Sequence, residues 1–273
     1  MSTFQVPTLA DMTAQGKTPE VLFWVGCAGS FDDRAKRITK AIARILHHCE
    51  VPFAVLGAEE SCTGDPAKRA GNEFLFQMQA AQNIAVLNGY EVKRIVTGCP
   101  HCFNVLKNEY PELGGNYEVM HHTQFIRDLI DQGRLKVADG NPFKGRRITF
   151  HDPCYLGRGN GEYAAPREVL STLDAELVEM RRCKQNGLCC GAGGAQMFKE
   201  AEKGNREVNH ERTDDVLDAK PQVVATGCPF CNTMMTDGVK NAERESSIDV
   251  KDIAELIAEA ADLVPSSTSQ DTP

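Results

Sequence analysis

Nine cysteines carry the chemistry of this chain, and eight of them repeat one spacing. Cys27, Cys62, Cys99 and Cys102 are 35, 37 and 3 positions apart, and Cys154, Cys190, Cys228 and Cys231 are 36, 38 and 3 apart. The lead-in repeats too: Val96-Thr97-Gly98-Cys99-Pro100-His101-Cys102 matches Ala225-Thr226-Gly227-Cys228-Pro229-Phe230-Cys231. Shared spacing and shared flanks mark an internal duplication. Each copy gathers thiolates from three segments, and soft thiolate clusters select zinc, copper(I) or iron–sulfur. The second copy adds Cys189 before Cys190-Gly191, where the first has Ser61 before Cys62. Four thiolates suit a cubane cluster or a tetrahedral zinc. A fifth implies an opened cluster or a cysteine left free for chemistry. Each Cys-Pro-X-Cys sets two sulfurs at a helix start, where unpaired N–H groups and the helix dipole favour thiolate. The glycine run Gly191-Ala192-Gly193-Gly194 lets backbone amides approach sulfur. A phosphate loop would look similar, but beside Cys189 and Cys190 the run reads as part of an iron–sulfur site.

The elements that must position these residues alternate. Val21–Val25 is a continuous apolar run, as in a buried strand, and it ends at Gly26-Cys27. Ile38, Ile42, Ile45 and Leu46 recur at helical spacing, and Pro52–Leu56 reads as a second strand. Asp65-Pro66 is a helix start, and Phe74, Met78, Ala81 and Ala85 form one helical stripe. Arg94–Val96 delivers Cys99, and a helix is expected from Cys102 to Tyr110. After Val119 comes an amphipathic helix with Phe125, Ile126, Leu129 and Ile130. The second copy repeats the order. Arg147–Phe150 ends at His151-Asp152-Pro153-Cys154, Pro166 opens a helix, and Leu177-Val178 is a strand. Cys189-Cys190-Gly191 is expected to open a long charged helix. Val223–Ala225 delivers Cys228, and Ile253, Leu256 and Ile257 sit in the closing helix. The expected fold class is α/β: two similar parallel-sheet halves related by duplication. Ligands gather at strand carboxyl ends in such sheets, so the thiolates should converge there. The expected divisions are a flexible lead-in over 1–20, a first module over 21–136, a linker over 137–146, a second module over 147–263 and a disordered tail over 264–273.

The bulk numbers exclude some classes. The chain has 273 residues, 41% hydrophobic and 25% charged, with a net charge of −8. A basic stripe, the mark of a nucleic-acid partner, is missing. No apolar run approaches the ~18 residues of a membrane span, and no secretory leader is seen at the N-terminus. Eleven cysteines without an export signal fit metal ligands or redox groups better than structural disulfides. A cytoplasmic location follows as the expectation, with membrane association through a partner.

The motifs Ser-Cys-Thr-Gly-Asp-Pro at 61–66, His-Asp-Pro-Cys-Tyr-Leu-Gly-Arg at 151–158 and Cys-Cys-Gly-Ala-Gly-Gly at 189–194, with the two Thr-Gly-Cys-Pro-X-Cys runs, resemble the cysteine-rich CCG domain. That domain occurs in the B- and D-type components of heterodisulfide reductase and in iron–sulfur components of glycolate and lactate oxidation systems. The resemblance covers about Val21 to Ile257. It implies [4Fe–4S] clusters, including a noncubane cluster held by all five cysteines of the second module. It also implies reduction of a disulfide or electron exchange with a quinone. Ser61 departs from the pattern, so a four-thiolate cluster is expected in the first module. The paired cysteine runs of a ferredoxin-like segment are missing here. A ferredoxin-like or HdrC-like iron–sulfur partner is therefore expected, with a flavoprotein or a membrane quinone-reactive protein as further partners.

On this reading Cys27, Cys62, Cys99, Cys102, Cys154, Cys189, Cys190, Cys228 and Cys231 hold metal. Cys189, Cys190 and His151 are the catalytic candidates. His151 could give a proton to a leaving thiolate or a quinone oxygen, or could be scaffold. His101, His121, His122, Arg69, Arg158, Cys49 and Cys183 read mainly as structural, surface or spare. Two other functions compete: a cluster-free thiol–disulfide oxidoreductase, which leaves Cys27 and Cys154 without a role, and a zinc-stabilised interaction module, which leaves Cys189-Cys190 unexplained.

Overall fold

The computed structural model describes residues 5–200 and 203–264. Its first half runs α1 (Leu9–Ala14), β1 (Val21–Trp24), α2 (Gly26–Phe31), α3 (Asp33–His48), β2 (Phe53–Ala54), α4 (Asp65–Arg69), α5 (Glu73–Gly89), β3 (Arg94–Thr97), α6 (Pro100–Asn104), β4 (Glu118–His121) and α7 (His122–Asp131). The second half runs β5 (Arg147–Phe150), α8 (Ala164–Ser171), β6 (Glu176–Leu177), α9 (Val208–Ala219), β7 (Val223–Thr226), α10 (Pro229–Asn241), β8 (Asp249–Asp252) and α11 (Ile253–Ala260).

Each half builds one four-stranded parallel sheet, in the orders β2-β1-β3-β4 and β6-β5-β7-β8. The registers correspond: Leu22 pairs Ile95 and Phe23 pairs Val96, while Ile148 pairs Val223 and Thr149 pairs Val224. The expected pair of duplicated α/β halves is therefore present. In each sheet the chain leaves the two central strands in opposite directions. This makes a topological switch point between β1 and β3, and another between β5 and β7, where crevices form at strand carboxyl ends. Cys27, Cys99, Cys154 and Cys228 all follow those central strands.

Local chemistry explains the elements. In α3, Asp32 caps the helix by accepting from Ala35 N at 2.7 Å, and Ile38, Ile42, Ile45 and Leu46 face the core. Cys99 and Cys228 are the N-caps of α6 and α10, each with proline in the first turn, where its missing N–H costs nothing. One apolar cluster runs through both halves, from Phe23, Ile42 and Leu46 to Phe150, Val169 and Ile257. α11 packs on α3, and α7 packs on α8. The closing helix of each half thus covers the first long helix of the other.

Four expectations change. The lead-in is not loose throughout, because Thr8 and Asp11 form a capping box for α1 and Leu9 is buried. No long helix follows Gly191. Gly191, Gly194 and Ala195 all have positive φ (95°, 67° and 63°), which breaks a right-handed helix. Among the described residues the next α-helix begins at Val208. The stripe of Phe74, Met78, Ala81 and Ala85 exists on α5 but faces solvent, and Phe76, Ala80, Ile84 and Leu87 face the core instead. After Cys102 the helical path outlasts Tyr110, continuing through a π turn and a 3₁₀ turn to Leu113. The expected tail lies outside the described residues from position 265.

Candidate metal centre

β1 delivers Cys27 through Gly26, whose φ is +77°; a Cβ there would sit 3.3 Å from Cys102 Sγ. Only glycine lets the backbone come this near the sulfur without strain. Glu60 fixes the turn, its two carboxylate oxygens accepting Val25 N at 3.0 Å and Gly26 N at 2.6 Å. Burial pushes that carboxyl up to about 7. Cys27 donates to Cys62. The bond and burial hold the Cys27 thiol far above its ordinary range, and the same bond brings Cys62 down to about 7. Cys99 accepts from Cys102 and from Cys228, and lies well below the ordinary thiol range. Asn83, buried on α5, donates to Cys62 O at 3.0 Å and ties that loop to the core.

The second half repeats the plan with one more sulfur. Cys189 accepts from Cys154 and Cys190, which lower it strongly, and Gly191 N donates to it at 3.3 Å. Cys190 is raised to about 12, first by the bond it makes to Cys189. Its Sγ lies 3.4 Å from Cys231 Sγ. The bond it makes to Cys190 keeps Cys231 up, and burial keeps Cys228 up.

The structure thus brings together four sulfurs in the first half and five in the second, and Cys99 and Cys228 join the two sets. All eleven cysteines are unpaired. Cys49 and Cys183 stand apart: the first is a buried C-cap residue of α3, and the second is half-buried beside Glu179. The donor set fits an iron–sulfur group, since it offers soft sulfur from both repeats with backbone approaching at Gly26 and Gly191. Neither sulfur set has the mutual approach a single zinc needs: among the described residues, only His151, Cys190 and Cys231 offer ligand atoms all within 4.8 Å of one another.

His151 is fully buried, and one of its nitrogens lies within 4.8 Å of Cys190 Sγ and Cys231 Sγ. Burial, with Arg212 second, lowers its pKa to about 3, so the imidazole is neutral. Arg212 Nε donates to His151 Nδ1 at 3.1 Å. The neighbouring Asp152 is held by Arg167 at 2.8 and 3.0 Å and accepts Lys184 N at 2.7 Å. His101 is buried rather than exposed. It lies 3.5 Å from Asp65, and its ring meets Tyr155 at 4.5 Å and Phe230 at 5.2 Å, linking the halves. Arg69 pairs with Asp65 and Glu109 instead of facing solvent, and Arg158 donates to Gly187 O. His121 contacts Gly227 O at 3.0 Å and so also spans the halves, and His122 lies 3.0 Å from Asp252.

Sequence reasoning missed Glu60, Arg212, and the Asp152–Arg167 pair. A signal for Arg212 existed: Asn209, Arg212, Thr213 and Val216 recur at helical spacing, and all are buried. A cleft of about 430 Å³ opens where the halves meet. Cys27, Phe31, Met197, Phe198 and Phe230 line it, with Asp32 as its one charged side chain. No helix among the described residues is long and apolar enough to cross a membrane.

The family model for the cysteine-rich domain CCG matches residues 21–107 and 148–236. Among curated relatives, the EtfAB:quinone oxidoreductase of Syntrophomonas wolfei is 46% identical over 251 residues, covering 90% of this chain and 35% of that protein. The D component of the dihydromethanophenazine:CoB–CoM heterodisulfide reductase of Methanosarcina barkeri is 34% identical over 251 residues, covering 89% and 59%. The B component of the fumarate reductase (CoM/CoB) of Methanothermobacter marburgensis is 30% identical over 252 residues, covering 90% and 47%. This chain therefore spans between about a third and three-fifths of these relatives.

Proposed function

The chain belongs to the cysteine-rich CCG family, and from that premise we propose that it is an iron–sulfur electron-transfer subunit of an oxidoreductase. It would pass electrons between an iron–sulfur or flavin partner and a quinone or disulfide. The observation that carries this reading is the pairing of Cys99 with Cys228, one sulfur from each repeat, beside the Cys190–Cys231 approach at 3.4 Å. Cys27, Cys62, Cys99 and Cys102 would hold one cluster, and Cys154, Cys189, Cys190, Cys228 and Cys231 the other. The five-sulfur set supports a noncubane [4Fe–4S] group, and the four-sulfur set a cubane. When bound, such clusters supply one-electron transfer.

The chain's own residues do the rest. Neighbouring donors lower the thiols of Cys62, Cys99 and Cys189, which favours metal capture near neutral pH. The helix starts at Pro100 and Pro229 place Cys99 and Cys228 at helix N-termini, where the dipole favours thiolate. Phe31, Phe198 and Phe230 keep the cleft beside Cys27 apolar. Of the two acceptors, the cleft favours a quinone, because an anionic disulfide would find no cation there. Were a disulfide the acceptor instead, Cys189 and Cys190, which do not line this cleft, would be the reactive pair. His151 acts as a fixed neutral imidazole beside them rather than as a source of protons.

The test is iron, zinc and acid-labile sulfide content of anaerobically prepared protein, with EPR spectra. About eight iron and eight sulfide per chain are expected for two four-iron groups. Exchanging Cys189 and Cys190 for serine should remove about half. Zinc without sulfide, or no metal at all, would overturn the reading in favour of a structural or thiol-exchange role.

A further inference from the structure

Five ionised thiolates carry one more negative charge than four, and a buried cation stands behind His151, the imidazole that lies within 4.8 Å of Cys190 and Cys231. Arg212 is the one fully buried arginine or lysine among the described residues. Its Nε donates to His151 Nδ1 at 3.1 Å, and its Nη1 donates to Arg182 O at 2.6 Å and Asp215 Oδ2 at 3.0 Å. Its Nη2 is buried without a partner. A guanidinium has donors and no acceptor. His151 Nδ1 must therefore accept, which leaves the one hydrogen of the neutral ring on Nε2. Asp215 is shared with Arg181 and Arg182, at 3.1 and 2.7 Å, so it does not cancel Arg212 alone. In the first half the charged side chains set near the sulfurs include two carboxylates, the buried Asp65 and Glu60, the latter held on the backbone of Val25 and Gly26.

We propose that Arg212 is a positioning residue for the five-sulfur site, fixing the tautomer of His151 and offsetting the charge of the fifth thiolate. The imidazole then presents one invariant polarity to Cys190 and Cys231. The buried cation favours the more negative, reduced state of whatever redox group those sulfurs hold, and so raises its potential. The charge-balancing part rests on the iron–sulfur reading; the tautomer part does not.

Two variants test it. Arg212→Met removes both charge and donor, and Arg212→Lys keeps the charge without the planar fork. In metal-free protein, nitrogen-15 NMR of the wild-type His151 ring should show hydrogen on Nε2, with a mixture of tautomers in both variants. In the iron-loaded protein, potentiometric EPR should show Arg212→Met lowering the midpoint of one signal, the one that vanishes on Cys189→Ser. The other signal should stay, and Arg212→Lys should recover most of the shift. A wild-type His151 with hydrogen on Nδ1 would overturn the positioning role. An unmoved midpoint in Arg212→Met would overturn the charge role, and if that variant does not fold, a large fall in midpoint in Arg212→Lys would do so. Failure of the wild type to take up iron and sulfide would instead defeat the iron–sulfur reading, with the NMR result still deciding the tautomer.

Discussion

His151 shows how a residue can be legible by position while its charge state is set by neighbours far away in the chain. Its place before Cys154 at a strand end marks it for the site, and the structure sets it there. Burial and Arg212 bring its pKa to about 3, which favours the scaffold reading over the proton donor. That cation lies 61 positions away on α9, where only the helical spacing of Asn209, Arg212, Thr213 and Val216 hints that it is buried. The nine cysteines were legible because spacing alone identifies a repeated thiolate set. Glu60 and Arg212 were not, because single charges in a polar stretch read as solvated. The low His151 pKa has a consequence for stability. A group depressed on folding stabilises the protein above its unfolded pKa near 6.5, and this is lost as pH falls towards 3. Between pH 7 and pH 5 that loss amounts to about 2 kcal/mol from His151. His121 is lowered by burial in the same direction and adds to the fall. The raised Glu60 carboxyl works in the opposite sense over the same range, so the His151 part is read as the difference between two denaturant-melt series of metal-free protein. Relative to wild type, His151→Gln should gain about 2 kcal/mol between pH 7 and pH 5. Parallel curves for the two proteins would show that His151 is not held neutral.

At the scale of elements, the alternation of strands and helices was legible, and so were the strand ends that carry Cys27, Cys99, Cys154 and Cys228. The faces of helices were less so. On α5 two stripes compete, and the one with Phe74 and Met78 loses to the one with Phe76 and Leu87. Asn83 lies on the second face, and its bonds to Cys62 O and Tyr110 Oη select it. Helix contacts also hide in glycines. Gly238 lies inside α10, where alanine would ordinarily raise helix stability by up to ~1 kcal/mol. Here a Cβ would fall 2.0 Å from Thr213 Oγ1 and 3.3 Å from Asn209 O, so the close approach of α10 to α9 excludes it. Gly238→Ala should therefore destabilise by about 2 kcal/mol, the range for overpacking. Because α9 carries Arg212, the change should also disturb the site. Gly89→Ala, at the open end of α5 where a Cβ meets nothing within 4 Å, should be neutral or stabilising. Denaturant midpoints of both variants check the contrast. A stabilised Gly238→Ala would mean the two helices separate without cost.

At the scale of the whole molecule, the duplication was legible but its interlocking was not. The Val137–Gly145 stretch reads as a linker by its turn residues, yet Asn141 and Phe143 within it are buried. Each half lends its closing helix to the other, α7 to α8 and α11 to α3. Arg34 reaches across to Glu255 at 2.7 and 2.8 Å and to Val250 O at 3.0 Å. Composition and spacing are read along the chain, so they register the repeat but not the exchange of helices between its copies. The exchange has a thermodynamic consequence. If one apolar core serves both halves, neither half retains a closed core alone, and both should unfold together. Calorimetry of the metal-free chain should then give a single transition, with calorimetric and van't Hoff enthalpies in agreement. A chain cut to residues 1–136 should show no cooperative melt, because the surface that α11 covers on α3 would be bare. Two separated transitions, or a cooperative melt from the isolated half, would mean that the copies are independent domains. The Cys99–Cys228 contact would then depend on docking instead of on the fold itself.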